Sequence, residues 1–172
     1  MKAIQVISIL ILFQFFTAQI SYCQWTTLPF GSTDNIRAME VVGRKAFTVT
    51  DQGIYFSQDL HNMQSNWSLF RIMNNSGDSM LLSSTLFVDC LSDPYADTTS
   101  RQVYFVGKNL AQQRAILFRL NISTFEYEYM YIGEIGSGFN KIAYHLLRQT
   151  FYMVGENGLV VVIKDGSHGQ ID

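Results

Sequence analysis

The feature that most narrows the fold is a pattern that occurs twice. Residues 47–58 read FTVTDQGIYFSQ, and residues 152–163 read YMVGENGLVVVI. Both follow aromatic-x-Val-x-acid-amide-Gly-aliphatic. Phe47, Val49, Asp51, Gly53 and Ile54 stand over Tyr152, Val154, Glu156, Gly158 and Leu159. Two apolar runs around a polar pair that ends in Gly describe a β-hairpin. Tight hairpin turns need φ > 0, which glycine adopts without steric cost. A looser third copy, VYFVGKNLAQQRAILFRL, runs from Val103 to Leu120. It has Val106 at the valine position and Lys108-Asn109 in place of the acid-amide pair. Its turn lacks the glycine and is longer, with Ala111 to Arg114 reading as an insertion.

Each hairpin has an upstream strand. Ile36 to Val42 precedes Gly43-Arg44-Lys45, and Lys141 to His145 precedes Leu146 to Gln149. Thr85 to Leu91 precedes the polar loop SDPYADTTSR. The three valines are 57 and 48 residues apart. A self-similar unit of about 40–50 residues built from short strands is the signature of a propeller blade. An aromatic content of 14%, with 13 Phe and 9 Tyr, suits half-buried pleated surfaces. The predicted fold is therefore all-β. About three propeller-like blades of short antiparallel strands fall at repeats 35–72, 84–133 and 138–166. Known propellers close with at least about four blades, so three make an incomplete propeller. Such an assembly is a piece of a larger one, closes by self-association, or packs as open sheets. Open strand edges invite self-association.

The first residues, MKAIQVISILILFQFFTAQISYCQW, carry one charge, Lys2, followed by an apolar run from Val6 to Phe16. Ser21 and Cys23 place small residues at −3 and −1 of a cut before Gln24. This is the layout of a secretory signal peptide over residues 1–23, ahead of a domain at 24–172. The core falls short of the roughly 20 apolar residues of a membrane span. The predicted address is secreted, extracellular or periplasmic, with no stable membrane span after cleavage. An uncleaved signal anchor, or a surface lipoprotein lipidated at Cys23, is the alternative. Cleavage leaves Cys90 without an intramolecular partner, on the apolar run STLFVDC, as a buried strand thiol. Intermolecular pairing is the sharper alternative. Asn66, Asn74 and Asn121 open Asn-x-Ser sequons and are glycosylation sites if the source is eukaryotic. Without Lys2 the remaining chain has 11 basic against 14 acidic residues, a formal charge of −3. That balance provides no basic stripe for nucleic acid.

Ser57-x-Asp59 followed by Trp67 resembles the Asp-box, the Ser-x-Asp-x-Gly-x-x-Trp hairpin of sialidase-type propellers. It departs from that pattern at His61, where Gly is expected, and in the late Trp67. Lys164-Asp165-Gly166 resembles the Asp-Gly core of the same motif. Trp25 to Leu28 resembles the closing segment of a preceding blade. Val154 to Gly158 is similar to repeats of secreted propellers related to the photosystem II assembly factor. The resemblance implies an Asp-box-type propeller fold, and fold alone does not imply function. Phe70-Arg71-Ile72 resembles the start of a sialidase arginine motif, but Met73 replaces its proline. Arg71 reads as an ordinary strand residue.

The remaining polar residues assign no catalytic, cofactor-binding or metal site. His61, His145 and His168 lack metal-ligand spacing. Asp89, Asp93 and Asp97 are too few for a calcium loop. Gly136-Ser137-Gly138 is an inter-strand turn rather than a phosphate loop, since no helix follows. The run FEYEYMYIG alternates: Phe125, Tyr127, Tyr129 and Tyr131 share one face, and Glu126, Glu128 and Met130 the other. This predicts a half-buried strand with a solvated carboxylate face rather than an acid/base pair. The function that fits is a secreted, non-enzymatic binding or scaffolding module with a protein or glycan ligand. The alternative is a fragment or degenerate relative of a carbohydrate-active, sialidase-like enzyme.

Overall fold

The structure is a computed structural model that describes residues 30, 32–60, 66–71, 81–94 and 101–164. It is all-β. Sheet I runs β1 (Ile36–Val42), β2 (Lys45–Thr50), β3 (Gly53–Ser57) and β4 (Ser68–Leu69). Sheet II runs β5 (Thr85–Ser92), β6 (Gln102–Asn109), β7 (Arg114–Asn121) and β8 (Tyr127–Ile132). Sheet III runs β9 (Phe139–His145), β10 (Thr150–Gly155) and β11 (Val160–Lys164). Among the described residues, every pairing is antiparallel between strands consecutive in sequence, and no sheet closes on itself.

The hairpin pattern folds as its residues require. In the copy at residues 152–163, Leu159 N donates to Glu156 O at 3.1 Å across Asn157 and Gly158, whose φ values are 55° and 73°. Both central residues are left-handed, which matches the right-handed twist of the flanking strands. In the first copy Gly53 takes φ 132° directly after Asp51-Gln52. The middle copy corrects the sequence reading. Arg114 opens β7, so the turn is Leu110 to Gln113, and Gln113 at φ 53° takes the role that glycine has elsewhere.

Phe47 and Tyr152 thus lie in β2 and β10, the second strands of their sheets, and Ser57 and Val162 in the third strands, β3 and β11. The register supplies independent support for the equivalence of the copies. The first two strands of each sheet slip by one residue, between Ile36 and Ala38, between Phe87 and Asp89, and between Gly155 and Val154. Opposite each bulge stands the residue after the anchor valine: Thr50, Gly107 and Gly155. At two of these the chain approaches closely. A Cβ on Gly107 would lie 2.1 Å from Leu86 O, and one on Gly155 would lie 2.1 Å from Gly138 O. Glycine is required there by space.

Sheet II sits between the other two. Val103 and Phe105 of β6 face sheet I and join Phe47, Val49, Phe87, Phe118 and Phe70 in one core. Tyr104 and Val106 point the opposite way and join Ala115, Leu117, Phe151, Met153 and Ile142 in a second core with sheet III. Alternate residues of one strand feed two cores because strand side chains alternate faces. Phe105 lies 6.1 Å from Phe47, centroid to centroid, and Tyr104 lies 4.4 Å from Phe151.

The FEYEYMYIG reading needs two amendments. Phe125 precedes β8 in a turn with φ 59°, where it packs on Phe56 and Phe70. Met130 is not on a solvated face; it packs against the core shared with sheet III, while Tyr127 and Tyr131 pack against the core shared with sheet I. Tyr129 is exposed, and so are Glu126 and Glu128.

Substituting Gly107→Ala should destabilise the protein by about 3 kcal/mol, since the added carbon must displace backbone. Gly158→Ala, which meets open space, should cost only about 1 kcal/mol for its left-handed φ. Urea denaturation of the two variants checks the order, and equal losses would contradict the bulge geometry.

Candidate functional site

The first strands of the sheets, β1, β5 and β9, lie side by side and are joined by carboxylates. Glu40 of β1 accepts hydrogen bonds from the backbone N and the Oγ of Ser92 on β5. Asp89 of β5 is buried, accepts from Ile142 N of β9 at 3.0 Å, and pairs with Lys141 Nζ at 3.2 Å. A buried carboxylate satisfied by a backbone N–H and an ammonium is a fixed inter-sheet tie. Both contacts are made to Oδ2. Asp93 is buried at the end of β5, and Asp97 lies outside the described residues.

At the outer edge of sheet II, Gln102, Arg119, Asn121, Glu126, Tyr127 and Glu128 line a groove of about 470 Å³. Arg119 is paired with Glu128, and Glu126 accepts from Thr124 Oγ1 at 3.1 Å. Glu126, just before β8, and Glu128, within it, therefore sit in separate local partnerships. Asn121 is half-buried here. Its Oδ1 accepts from Ser123 N at 2.8 Å and Thr124 N at 3.0 Å, which closes the turn into β8. Of the other sequons, Asn66 is exposed and Asn74 lies outside the described residues.

The other singled-out residues are dispersed. His145 ends β9 and its Nδ1 accepts from Arg148 N at 3.2 Å. His61 and His168 lie outside the described residues. Arg71 is exposed beyond β4, next to buried Phe70. Ser57 is buried in β3, and Asp59 receives Arg44 at 2.6 Å. Trp67 packs edge-on against Phe30 at 5.2 Å. Gly136 to Gly138 connect sheet II to sheet III, held by Lys108 Nζ, which donates to Gly136 O at 2.9 Å and to Glu156 at 3.0 Å. Among the described residues no group of three His, Cys, Asp or Glu could hold a metal ion. Among the same residues no helix is long and apolar enough to cross a membrane.

The feature that sequence reasoning did not pick out is a surface. Phe47 and Val49 turn toward sheet II, and the equivalent Tyr104 and Val106 turn toward sheet III. The next equivalents, Tyr152 and Val154, turn outward. Val154 is 44% exposed, and beside it on β11 Val160 is 62% and Val162 42% exposed. Register places Val160 opposite Val154 and Val162 opposite Tyr152, with Ala143 on the other side of Tyr152. These residues form one contiguous apolar face. The signal was present in Val160-Val161-Val162, because a strand that is apolar on both faces is made to be covered on both. Here only Val161 is buried. No protein-family model, curated protein or solved structure matches this chain.

Cys90 is buried in β5, and burial, reinforced by the nearby Glu40 and Asp89 carboxylates, pushes its thiol far up. Because the folded chain holds that proton more tightly, the resulting stability is fully present below the ordinary thiol value of about 8.5 and is lost as pH rises above it. Peptide mapping after alkylation at pH 8 should find the Cys90 peptide unmodified in the folded chain and modified in urea. Cys90→Ala should flatten the alkaline fall in stability. Rapid labelling of folded Cys90 would contradict its burial.

Proposed function

We propose that this chain is an exported, non-enzymatic binding or scaffolding module whose three sheets act as propeller-like blades. The carrying observation is the outward row Tyr152, Val154, Val160 and Val162 on the last sheet of the stack. Two like faces in the same chain are buried by a neighbouring sheet, and this one is open to another protein surface. Contiguous exposed apolar area on a soluble domain marks an interaction site. The bulge register and the side-by-side β1, β5 and β9 support the blade reading. The Lys2-led apolar leader supports export.

Export is checked by mass spectrometry of the product secreted from an expressing cell, which should begin at Gln24. An intact Met1 start would count against cleavage. Binding is checked with a photo-crosslinking residue at position 154, compared with one at Gln52, an exposed turn position. Discrete adducts from 154 and none from 52 are expected. The same pattern from both positions would contradict a binding face on sheet III.

A further inference from the structure

We infer that the outward face of sheet I is the docking site of the chain's own residues 24–29, the stretch that precedes Phe30. This face is at the opposite end of the stack from the open row on sheet III. Strand side chains alternate, so Phe47 and Val49 of β2 turn into the core with sheet II while Ala46, Thr48 and Thr50 turn away from it. Register places Tyr55 opposite Thr48 and Ser57 opposite Ala46, on the same outward face. Yet Ala46 and Thr48 are 0% exposed, and Thr50 and Ser57 1%. Ala46 belongs to neither core. Water is excluded from this face by chain laid over it.

Part of the cover is in view. Phe30 packs edge-on against Tyr55 and Trp67, each at 5.2 Å, and Tyr55 Oη donates to Asp34 at 3.4 Å. Asn35 and Arg37 then donate to Asp51 in the β2–β3 turn. The chain from Phe30 to Arg37 thus runs past the Thr50 and Tyr55 end of the face. Ala46 and Ser57 lie at the other end of β2 and β3. The loop after β3 is drawn to the strand tip rather than across the face, since Leu60 N donates to Arg44 O at 2.8 Å and Asp59 pairs with Arg44. The segment joined to Phe30 is left to cover that end.

The chemistry of the face matches that segment. Thr48 Oγ1, Ser57 Oγ and Trp67 Nε1 are buried without a hydrogen-bond partner. Buried polar groups call for partners. An extended peptide brings backbone N–H and C=O groups to them, and Gln24, Thr26 and Thr27 add side-chain donors and acceptors. Trp25 and Leu28 supply the apolar surface to exclude water. The length also fits: residues 24–29 span about 20 Å when extended, and β3 lies about 10 Å from β1, two strand spacings away. Ile36, Met39 and Val41 of β1 share this face and are 50%, 44% and 51% exposed, so the cover stops short of β1. A cut before Gln24 leaves the segment whole.

A photo-crosslinking residue at position 39 tests this, because Met39 stands opposite Thr48 and already meets solvent. Purified light and isotope-labelled chains are mixed before irradiation, so that links within one molecule and between two are told apart by mass. The expected product is a link within one molecule to the peptide that holds residues 24–29, and the same probe at position 162, on sheet III, should not give it. A link to residues 1–23, to any other stretch, or to a second copy, the same link from position 162, or no link at all would each overturn the inference. A second measurement uses Trp67→Phe, which leaves Trp25 as the one tryptophan of the chain. Acrylamide should quench Trp25 several-fold less in the folded chain than in urea. Equal quenching in both would mean that the segment is not docked.

Discussion

The structure depends on a single strand that must be covered on both sides. Val103, Tyr104, Phe105 and Val106 follow one another in β6, and all four are buried. Alternation sends two of them to each face of sheet II. Burying a large apolar side chain contributes about 1.5–3 kcal/mol, so leaving either face of β6 in water would cost several such increments. Sheet II thus recruits sheet I on one side and sheet III on the other, and the two cores form on opposite faces of the same backbone.

Polar contacts then fix how the covered sheets sit. Glu40 with Ser92 ties β1 to β5, and Asp89 with Ile142 and Lys141 ties β5 to β9. Lys45 donates to Ile122 O at 2.5 Å and sits over the Phe125 ring, which links sheet I to the β7–β8 turn. Lys108 does the same between sheets II and III through Gly136 and Glu156. Apolar faces are non-directional; these directional contacts select one alignment among those the faces would allow. The same face-to-face logic leaves the last sheet with its outward row uncovered, and that row is where the functional reading begins.

Much of the fold was legible because hairpin chemistry is local. Asn157-Gly158 and Gly53 announce their turns, and Ile36 to Val42 or Lys141 to His145 announce their strands by composition. The anchor valines at 49, 106 and 154 hold structurally, since each stands beside a bulge. What was not legible depends on packing. The middle turn misled because Gln113 adopts a left-handed φ that its sequence does not advertise. Met130 read as solvated because an outer strand looks half-exposed until a third sheet arrives to cover it. The open face on sheet III escaped for a similar reason. Tyr104 and Tyr152 occupy equivalent positions, and nothing local distinguishes the one that is covered from the one that is not.

Sheet II holds sheet I by one face and sheet III by the other. The most direct measurement is a pair of double-mutant cycles, Phe47 with Phe105 across the first interface and Tyr104 with Phe151 across the second, using Leu as the replacement. Each pair should couple by about 0.5–1.5 kcal/mol, the range for packed aromatic rings. Additive effects at Tyr104 and Phe151, with no coupling, would mean that sheet III does not lie on that face of β6 and would contradict the account.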